Sequence, residues 1–171
     1  MLEKSNAEKV DWEVLPDDEK AIVDVRERCR RLVRRRAAIS AGVSAVPIPG
    51  VDILSDLSMF KRLVDEVNKE FGLTPEQVDR LQPRHKKLAY EVALGMGGMM
   101  VGKFVTRQLL LQVLKRSGLK LFAKSATRFV PIAGQLASAA IGFTVFRKLG
   151  YEHVEACTRV AQELAAARAT A

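Results

Sequence analysis

The chain has 171 residues, of which 48% are apolar and 6% aromatic, and its formal net charge is +8. This length suffices for one domain with a sizeable core, and abundant Ala, Leu and Val with few aromatic residues favour packed helices over sheets. The acidic amino end has no apolar core, which excludes a secretory signal or an Arg-rich transit peptide, so we expect a cytosolic N-terminus. The positive charge favours a phosphate-rich partner, either nucleic acid or anionic lipid.

The first predicted helix follows a flexible acidic tail at residues 1–15 and begins at Pro16, Asp17 and Asp18, which are good helix starters. One side of this helix is apolar and the other is basic. The apolar stripe comprises Ile22, Val25, Cys29, Leu32, Ile39 and Val43, and the basic side comprises Arg26, Arg28, Arg30, Arg31, Arg34 and Arg35. Arg36 falls inside the stripe.

An uncharged run from residue 37 to residue 51 follows the arginines. Pro47 and Pro49 prevent the helix from continuing, and Gly50 permits a turn. A second helix is predicted from about Val51 to Phe71.

The junction after this second helix is well specified by its own residues. Gly72 suits a left-handed position just past a helix end. Thr74 is a good N-cap for a following short helix, with Pro75 at its first position and Gln77 at its third, which is the pattern of a capping box.

The rest of the chain is also predicted to be helical. Pro83 begins a long helix that reaches about Arg116, and three more are predicted over residues 119–128, 132–149 and 151–167. The prediction is an all-α protein with a single domain at residues 16–171. This domain is a compact bundle of about six or seven helices that contains two apolar hairpins broken by Pro and Gly.

An internal quasi-repeat relates residues 34–71 to residues 118–156. Each copy contains Val-Pro-Ile-x-Gly followed by an apolar helix that ends in a basic pair. Duplication, convergent use of one turn and a chance match all remain open. We interpret the copies as two hairpins, and the predicted turn residues are Pro47, Pro49, Gly50, Pro131 and Gly134.

The stretch GGMMVGKF at residues 97–104 resembles a phosphate-binding loop. Gly97, Gly102 and Lys103 fit the consensus, but Phe104 stands where Ser or Thr would hold magnesium. A helical period precedes the stretch, whereas a phosphate loop follows a strand. We therefore interpret the glycines as small residues that let helices approach closely, and the residues assigned to this role are Gly97, Gly98, Gly102, Ser138 and Gly142.

Membrane association is suggested by apolar length and by charge. Residues 129–146 contain 18 uncharged positions, the lower limit for a spanning helix, although Pro131 and many small or polar residues weaken it. A span, a re-entrant or interfacial hairpin and a protein-buried core are the alternatives. Basic residues precede both apolar runs, as is typical of segments beside an anionic membrane surface. The predicted contacts to anionic lipid or a partner are Arg28, Arg31, Arg34, Arg35, Lys120 and Lys124.

The competing interpretation of the basic helix is a solvated face neutralised by local acids such as Glu19, Asp24 and Glu27. Binding to nucleic acid is a further alternative, although no recognition module is present and aromatic residues do not interleave with the basic face.

Two segments resemble a known family. RRRAAISAGVSAVPIPGVDILSDLSMFKRLVDEVNKEFGLT resembles the core motif of a bacterial family of helical domains of unknown function that accompanies GTPases and includes the YcjF-like inner-membrane proteins. FVPIAGQLASAAIGFTVFRKLGYEHVEAC is similar to the second motif of that family. The Val-Pro-x-Pro-Gly turn also resembles one in the helical domain of immunity-related GTPases. The resemblance covers about Arg34 to Ala156.

This resemblance implies an all-helical, membrane-associated module that acts beside a GTPase and brings no catalytic residues. The chain has no complete phosphate loop and no Asn-Lys-x-Asp motif, so a GTPase partner would be a separate chain.

Catalytic chemistry finds little support in the sequence. His85 and His153 lie in unrelated segments, and Cys157 after His153 is half a metal site at best. Cys29 and Cys157 are interpreted as reduced core thiols, which favours a reducing compartment. We expect no catalytic residue, cofactor, metal or small-molecule substrate.

The predicted function is a non-enzymatic, membrane-associated accessory or scaffold protein that works with a separate GTPase or other partner protein. Its expected location is the cytoplasmic side of a membrane, peripheral or partly inserted, with the cytoplasm as the alternative. A soluble helical protein-interaction module and a basic nucleic-acid-binding protein are the alternative functions.

Overall fold

The computed structural model describes residues 15–44, 52–96, 100–102, 108, 112 and 131–170, with side chains for all of these except residues 43–44, 52–57 and 131–142. Within this part the chain is all-α, as predicted, and it contains five helices with given bounds, whereas the helix predicted over residues 119–128 lies outside the described residues. These are α1 (Glu19–Ser44), α2 (Asp52–Glu70), α3 (Pro75–Asp79), α4 (Pro83–Gly95) and α5 (Pro131–Ala169).

Helix α1 starts where the sequence predicts. The backbone N–H of Ala21 donates to Oδ1 of Asp18 at 2.6 Å, so Asp18 caps the helix. The buried face follows Cys29, Val33 and Ala37 at intervals of four residues. Ile39 was predicted on this face, but it lies about a quarter-turn away from it and is 43% exposed.

The junction between α2 and α3 confirms the prediction in detail. Gly72 has a φ of 69°. Its N–H donates to the Lys69 carbonyl at 3.1 Å, and the N–H of Leu73 donates to the Asn68 carbonyl at 2.7 Å, which together form a Schellman motif. The Thr74 hydroxyl accepts from the N–H of Gln77 while the Gln77 side chain accepts from the N–H of Thr74, which completes the capping box.

Helix α4 begins at Pro83, as predicted, but it ends at Gly95, so one uninterrupted helix to Arg116 is wrong. Residues 100–102 form a turn, and Gly102 has a φ of 61°. A Cβ on Gly102 would lie 2.8 Å from Cγ2 of Val78, so this glycine permits a turn to approach α3. Its predicted place in a helical ridge is therefore wrong. The other glycines of that ridge, Gly97 and Gly98, lie outside the described residues.

Helix α5 is continuous over 39 residues, or about 58 Å. The predicted division into two helices near residue 150 is therefore wrong, and Gly134 lies within the helix rather than in a turn. Pro131 is the first helical residue, a position that suits proline. Ser138 and Gly142 are helical, and their role in close helix packing stays a prediction.

The core forms around α5, which contacts α1, α2 and α4. The three helices α1, α2 and α5 pack together at Gly150, where a Cβ would lie 2.8 Å from Cγ1 of Val33 and 3.2 Å from Cδ2 of Leu63. Nearby, the rings of Phe60 and Phe146 pack edge to face with centroids 5.2 Å apart. These contacts fix one face of α1 against the core, so the opposite face of α1 points to solvent.

Candidate interaction surface on helix α1

The exposed side of α1 is divided by charge along the helix axis. At the N-terminal end the exposed side chains include Asp17, Asp18, Glu19, Lys20 and Asp24, so this half is mainly acidic. At the C-terminal half the exposed charged side chains are Arg31, Arg34 and Arg35. These three residues, called the arginine triad below, are spaced three or four apart or adjacent and therefore share one side of the helix.

Two other arginines of α1 are engaged by α5. Nε and Nη2 of Arg26 donate to the two carboxylate oxygens of Glu155 at 2.9 and 2.7 Å, and Nη1 of Arg30 donates to the same carboxylate at 2.7 Å. Arg30 also lies over the ring of Tyr151, 4.6 Å from its centroid. Because Glu155 is two-thirds buried, this charge-assisted cluster fixes α1 against α5.

Two further arginines of α1 are engaged by α2. Arg28 lies 3.4 Å from the Glu70 carboxylate, and Arg36 donates to Glu66. Arg36, which interrupts the apolar stripe in the sequence, is therefore half-buried and paired across the helix interface. Arg28 was predicted to contact lipid or a partner, and the structure places it in an exposed ion pair that leaves half of its side chain accessible.

The arginine triad has no such partner in the described part of the chain. No described carboxylate lies within 4.0 Å of any of its three guanidinium groups. Of the local acids proposed to neutralise the basic face, Glu27 reaches only Arg26, at 3.8 Å. Glu19 and Asp24 pair with none of the described arginines. Within the described residues, the positive charge of the triad is therefore not neutralised by an ion pair.

Several predicted turn and contact residues cannot be placed relative to the arginine triad. Pro47, Pro49 and Gly50, and also Lys120 and Lys124, lie outside the described residues. No described helix contains a stretch long and apolar enough to cross a bilayer.

A buried polar cluster connects α2, α5 and the turn after α4. The amide Nδ2 of Asn68 donates to the Met100 carbonyl at 3.1 Å, so Oδ1 of Asn68 is left to accept. It accepts from Nε2 of His153 at 3.0 Å and from the Cys157 thiol at 3.6 Å. Asn68 was not identified from the sequence, although an amide within the apolar stripe of α2 was an available signal.

This cluster is electrically neutral and does not suit nucleophilic chemistry. Burial lowers the pKa of His153 to about 4, and contact with the backbone of Val64 offsets only part of this effect. Burial also raises the pKa of the Cys157 thiol well above its ordinary value and that of Cys29 to about 12. The thiolate and imidazolium forms that a Cys–His catalyst uses are therefore disfavoured. Both cysteines are buried and free, as predicted.

An open cleft of about 430 Å³ lies beside the Glu155 cluster, lined by Met96, Thr144, Arg147, Lys148, Tyr151, Glu152 and Glu155. Its charges are largely matched, since Glu155 binds two arginines and Lys148 lies 3.9 Å from Glu152. Among the residues that the structure describes, no three His, Cys, Asp or Glu side chains are grouped to bind a metal ion. The cleft offers mixed polar and apolar contacts and no recognisable nucleophile–base pair.

No family model matches the chain, and searches of curated proteins and of solved structures found no match. The resemblance to the GTPase-associated helical family therefore stays a prediction. The arginine triad is the strongest functional feature of the described structure.

Proposed function

We propose that the protein is a non-enzymatic accessory or scaffold protein that binds the anionic cytoplasmic face of a membrane through the arginine triad. It acts there with a separate partner protein, and the family resemblance favours a GTPase as that partner. One observation carries the proposal: four arginines of α1 are engaged by α2 and α5, while Arg31, Arg34 and Arg35 point to solvent without a described partner.

The energetics favour such binding only near a dense negative surface. Each basic side chain near an anionic leaflet contributes about 1 kcal/mol, so three contribute about 3 kcal/mol. This corresponds to a roughly 100-fold gain in binding to anionic over neutral lipid. The Debye length falls from about 10 Å at 0.1 M salt to about 3 Å at 1 M, so this gain disappears at high salt.

Flotation with vesicles tests the proposal. Wild-type protein should float with phosphatidylserine-containing vesicles and not with pure phosphatidylcholine, and added salt should release it. Replacing all three triad arginines by Gln should weaken binding roughly 100-fold. The matched control replaces Arg62, Arg80 and Arg84 by Gln, which removes the same charge from exposed positions on other parts of the surface.

Three outcomes would contradict electrostatic membrane binding by this face. Equal loss in the triad and control variants would show that only net charge matters. Equal flotation on neutral vesicles would remove the electrostatic basis. A salt-resistant gel shift with nucleic acid that depends on the triad would assign the same face to nucleic acid instead.

A soluble protein-interaction module is the second candidate function, because two large apolar side chains are exposed at the C-terminal end of α4. Leu94 is 59% exposed and Met96 is 49% exposed, and Met96 also forms one wall of the open cleft. A photo-crosslinker at Leu94 should capture a partner protein from the native host, whereas one at Arg84, near the start of the same helix, should not. Equal labelling at both positions would count against this surface.

A further inference from the structure

The exposed side of α1 changes character twice along its length. An acidic N-terminal half is followed by the arginine triad, and the triad is followed by an uncharged end that exposes Ala38, Ile39 and Gly42. This order of acidic, basic and apolar surface favours one orientation of the helix relative to an anionic membrane. The acidic half is repelled by that layer, and the basic half is attracted to it.

Ile39 is held outward by packing on the other side of the same helical turn. Ala37 is fully buried and Ser40 is 3% exposed, so α1 is still packed against the bundle at this level. Ile39 nevertheless stays 43% exposed. Its position one turn beyond Arg35 places it about 6 Å further along the axis.

Val23 provides a natural comparison on the same helix. It has the same β-branched shape and is 45% exposed, but it lies beside the exposed acids Glu19 and Asp24. Sixteen residues, or about 24 Å of helix, separate it from Ile39. The two side chains therefore differ in their charged surroundings far more than in exposure.

We infer that α1 meets an anionic membrane by its C-terminal half, with Ile39 inserted below the phosphate groups and the acidic half held away from the surface. This orientation rests on the membrane binding proposed above. The arginine triad supplies the attraction to the phosphates, and Ile39 supplies apolar contact that does not depend on salt. An interfacial helix commonly combines these two kinds of residue.

Depth-dependent quenching tests the orientation. Ile39→Trp and Val23→Trp are each made in a Trp12→Phe background, so that each protein carries one tryptophan. Both proteins are bound to phosphatidylserine vesicles that contain brominated lipid. Tryptophan at position 39 should be strongly quenched and shifted to the blue, and tryptophan at position 23 should keep its solution spectrum.

A pair of smaller substitutions gives an independent readout. Ile39→Ser should weaken vesicle binding about five- to tenfold and make the residual binding fully salt-sensitive, whereas Val23→Ser should change affinity less than about twofold. Circular dichroism and thermal melting verify that both variants fold.

The outcomes separate the two proposals. If the protein binds anionic vesicles through the triad but position 39 is not quenched, or position 23 is quenched equally, the orientation is overturned and the proposed function stands. If the protein does not bind anionic vesicles, both the orientation and the proposed function are overturned. Quenching at position 39 alone, with loss of binding in the triad variant, supports both.

Discussion

Gly150→Ala tests the close packing of three helices in the core. A Cβ at this position would lie 2.8 and 3.1 Å from the two methyl carbons of Val33 and 3.2 Å from Cδ2 of Leu63. Valine has a stiff χ1 and cannot rotate both methyl groups away, so the helices must separate. Overpacking of this kind costs about 1–3 kcal/mol. The gain in helix propensity from Gly to Ala is about 1 kcal/mol and offsets part of this cost, so a net loss of up to about 2 kcal/mol is expected.

Gly42→Ala is the matched control, because this α1 glycine would meet nothing within 4 Å. It should stabilise the protein by about 0.5 kcal/mol, since it lies near the fraying end of its helix. Urea denaturation followed by far-UV circular dichroism measures both changes. In a double-mutant cycle with Val33→Ala, the cost of Gly150→Ala should fall by about half or more. The reasoning is refuted if Gly150→Ala stabilises the protein as much as Gly42→Ala does.

Three further predictions concern the turn, the interhelical ion pairs and the buried histidine. Gly102→Ala should destabilise the protein by about 1–3 kcal/mol in the same urea assay, because the φ of this residue is 61° and its Cβ would contact Val78. An unchanged urea midpoint would contradict the left-handed turn at Gly102. Glu155→Gln should cost about 1 kcal/mol, since it weakens charged hydrogen bonds to two arginines that remain partly exposed, and high salt should narrow the difference from wild type. Burial lowers the pKa of His153 to about 4, so between about pH 4 and about pH 6.5 the unfolded chain binds a proton at this residue that the folded protein does not. The contribution of neutral His153 to stability is therefore complete above the ordinary pKa near 6.5 and is lost as the pH falls below it. The free energy of unfolding should therefore fall by about 2 kcal/mol between about pH 7.5 and about pH 5, and His153→Gln should remove most of this slope; a slope unchanged by the substitution would assign it to other groups.

The parts of the fold that were predicted correctly depend on residues close together in sequence. The capping box at Thr74 and Gln77 and the left-handed Gly72 are formed within a few residues of chain. Asp18 caps α1 for the same reason. Local hydrogen bonds of this kind are available in any tertiary context, and a sequence pattern is therefore sufficient to identify them.

The errors fall where distant segments compete with local preference. The prediction divided residues 132–167 into two helices at position 150, but α5 is continuous there and Gly150 packs against Val33 and Leu63. A helical period continued past Gly95, but α4 ends there and the chain turns so that Met100 meets the Asn68 side chain. Neither contact partner is adjacent in sequence, so no local pattern could reveal it.

The charged surface of α1 shows the same division between what the local sequence specifies and what tertiary contacts decide. The sequence alone determined that α1 is a helix with an apolar side and a strongly basic side, because a period of 3.6 residues and a cap are properties of the chain itself. It did not determine which arginines form ion pairs with other described helices. That was decided when folding brought Glu155, 125 residues after Arg30, and Glu66 and Glu70 onto α1. Ion pairs form by proximity in space, so only the tertiary structure could separate the engaged arginines from the triad that faces solvent.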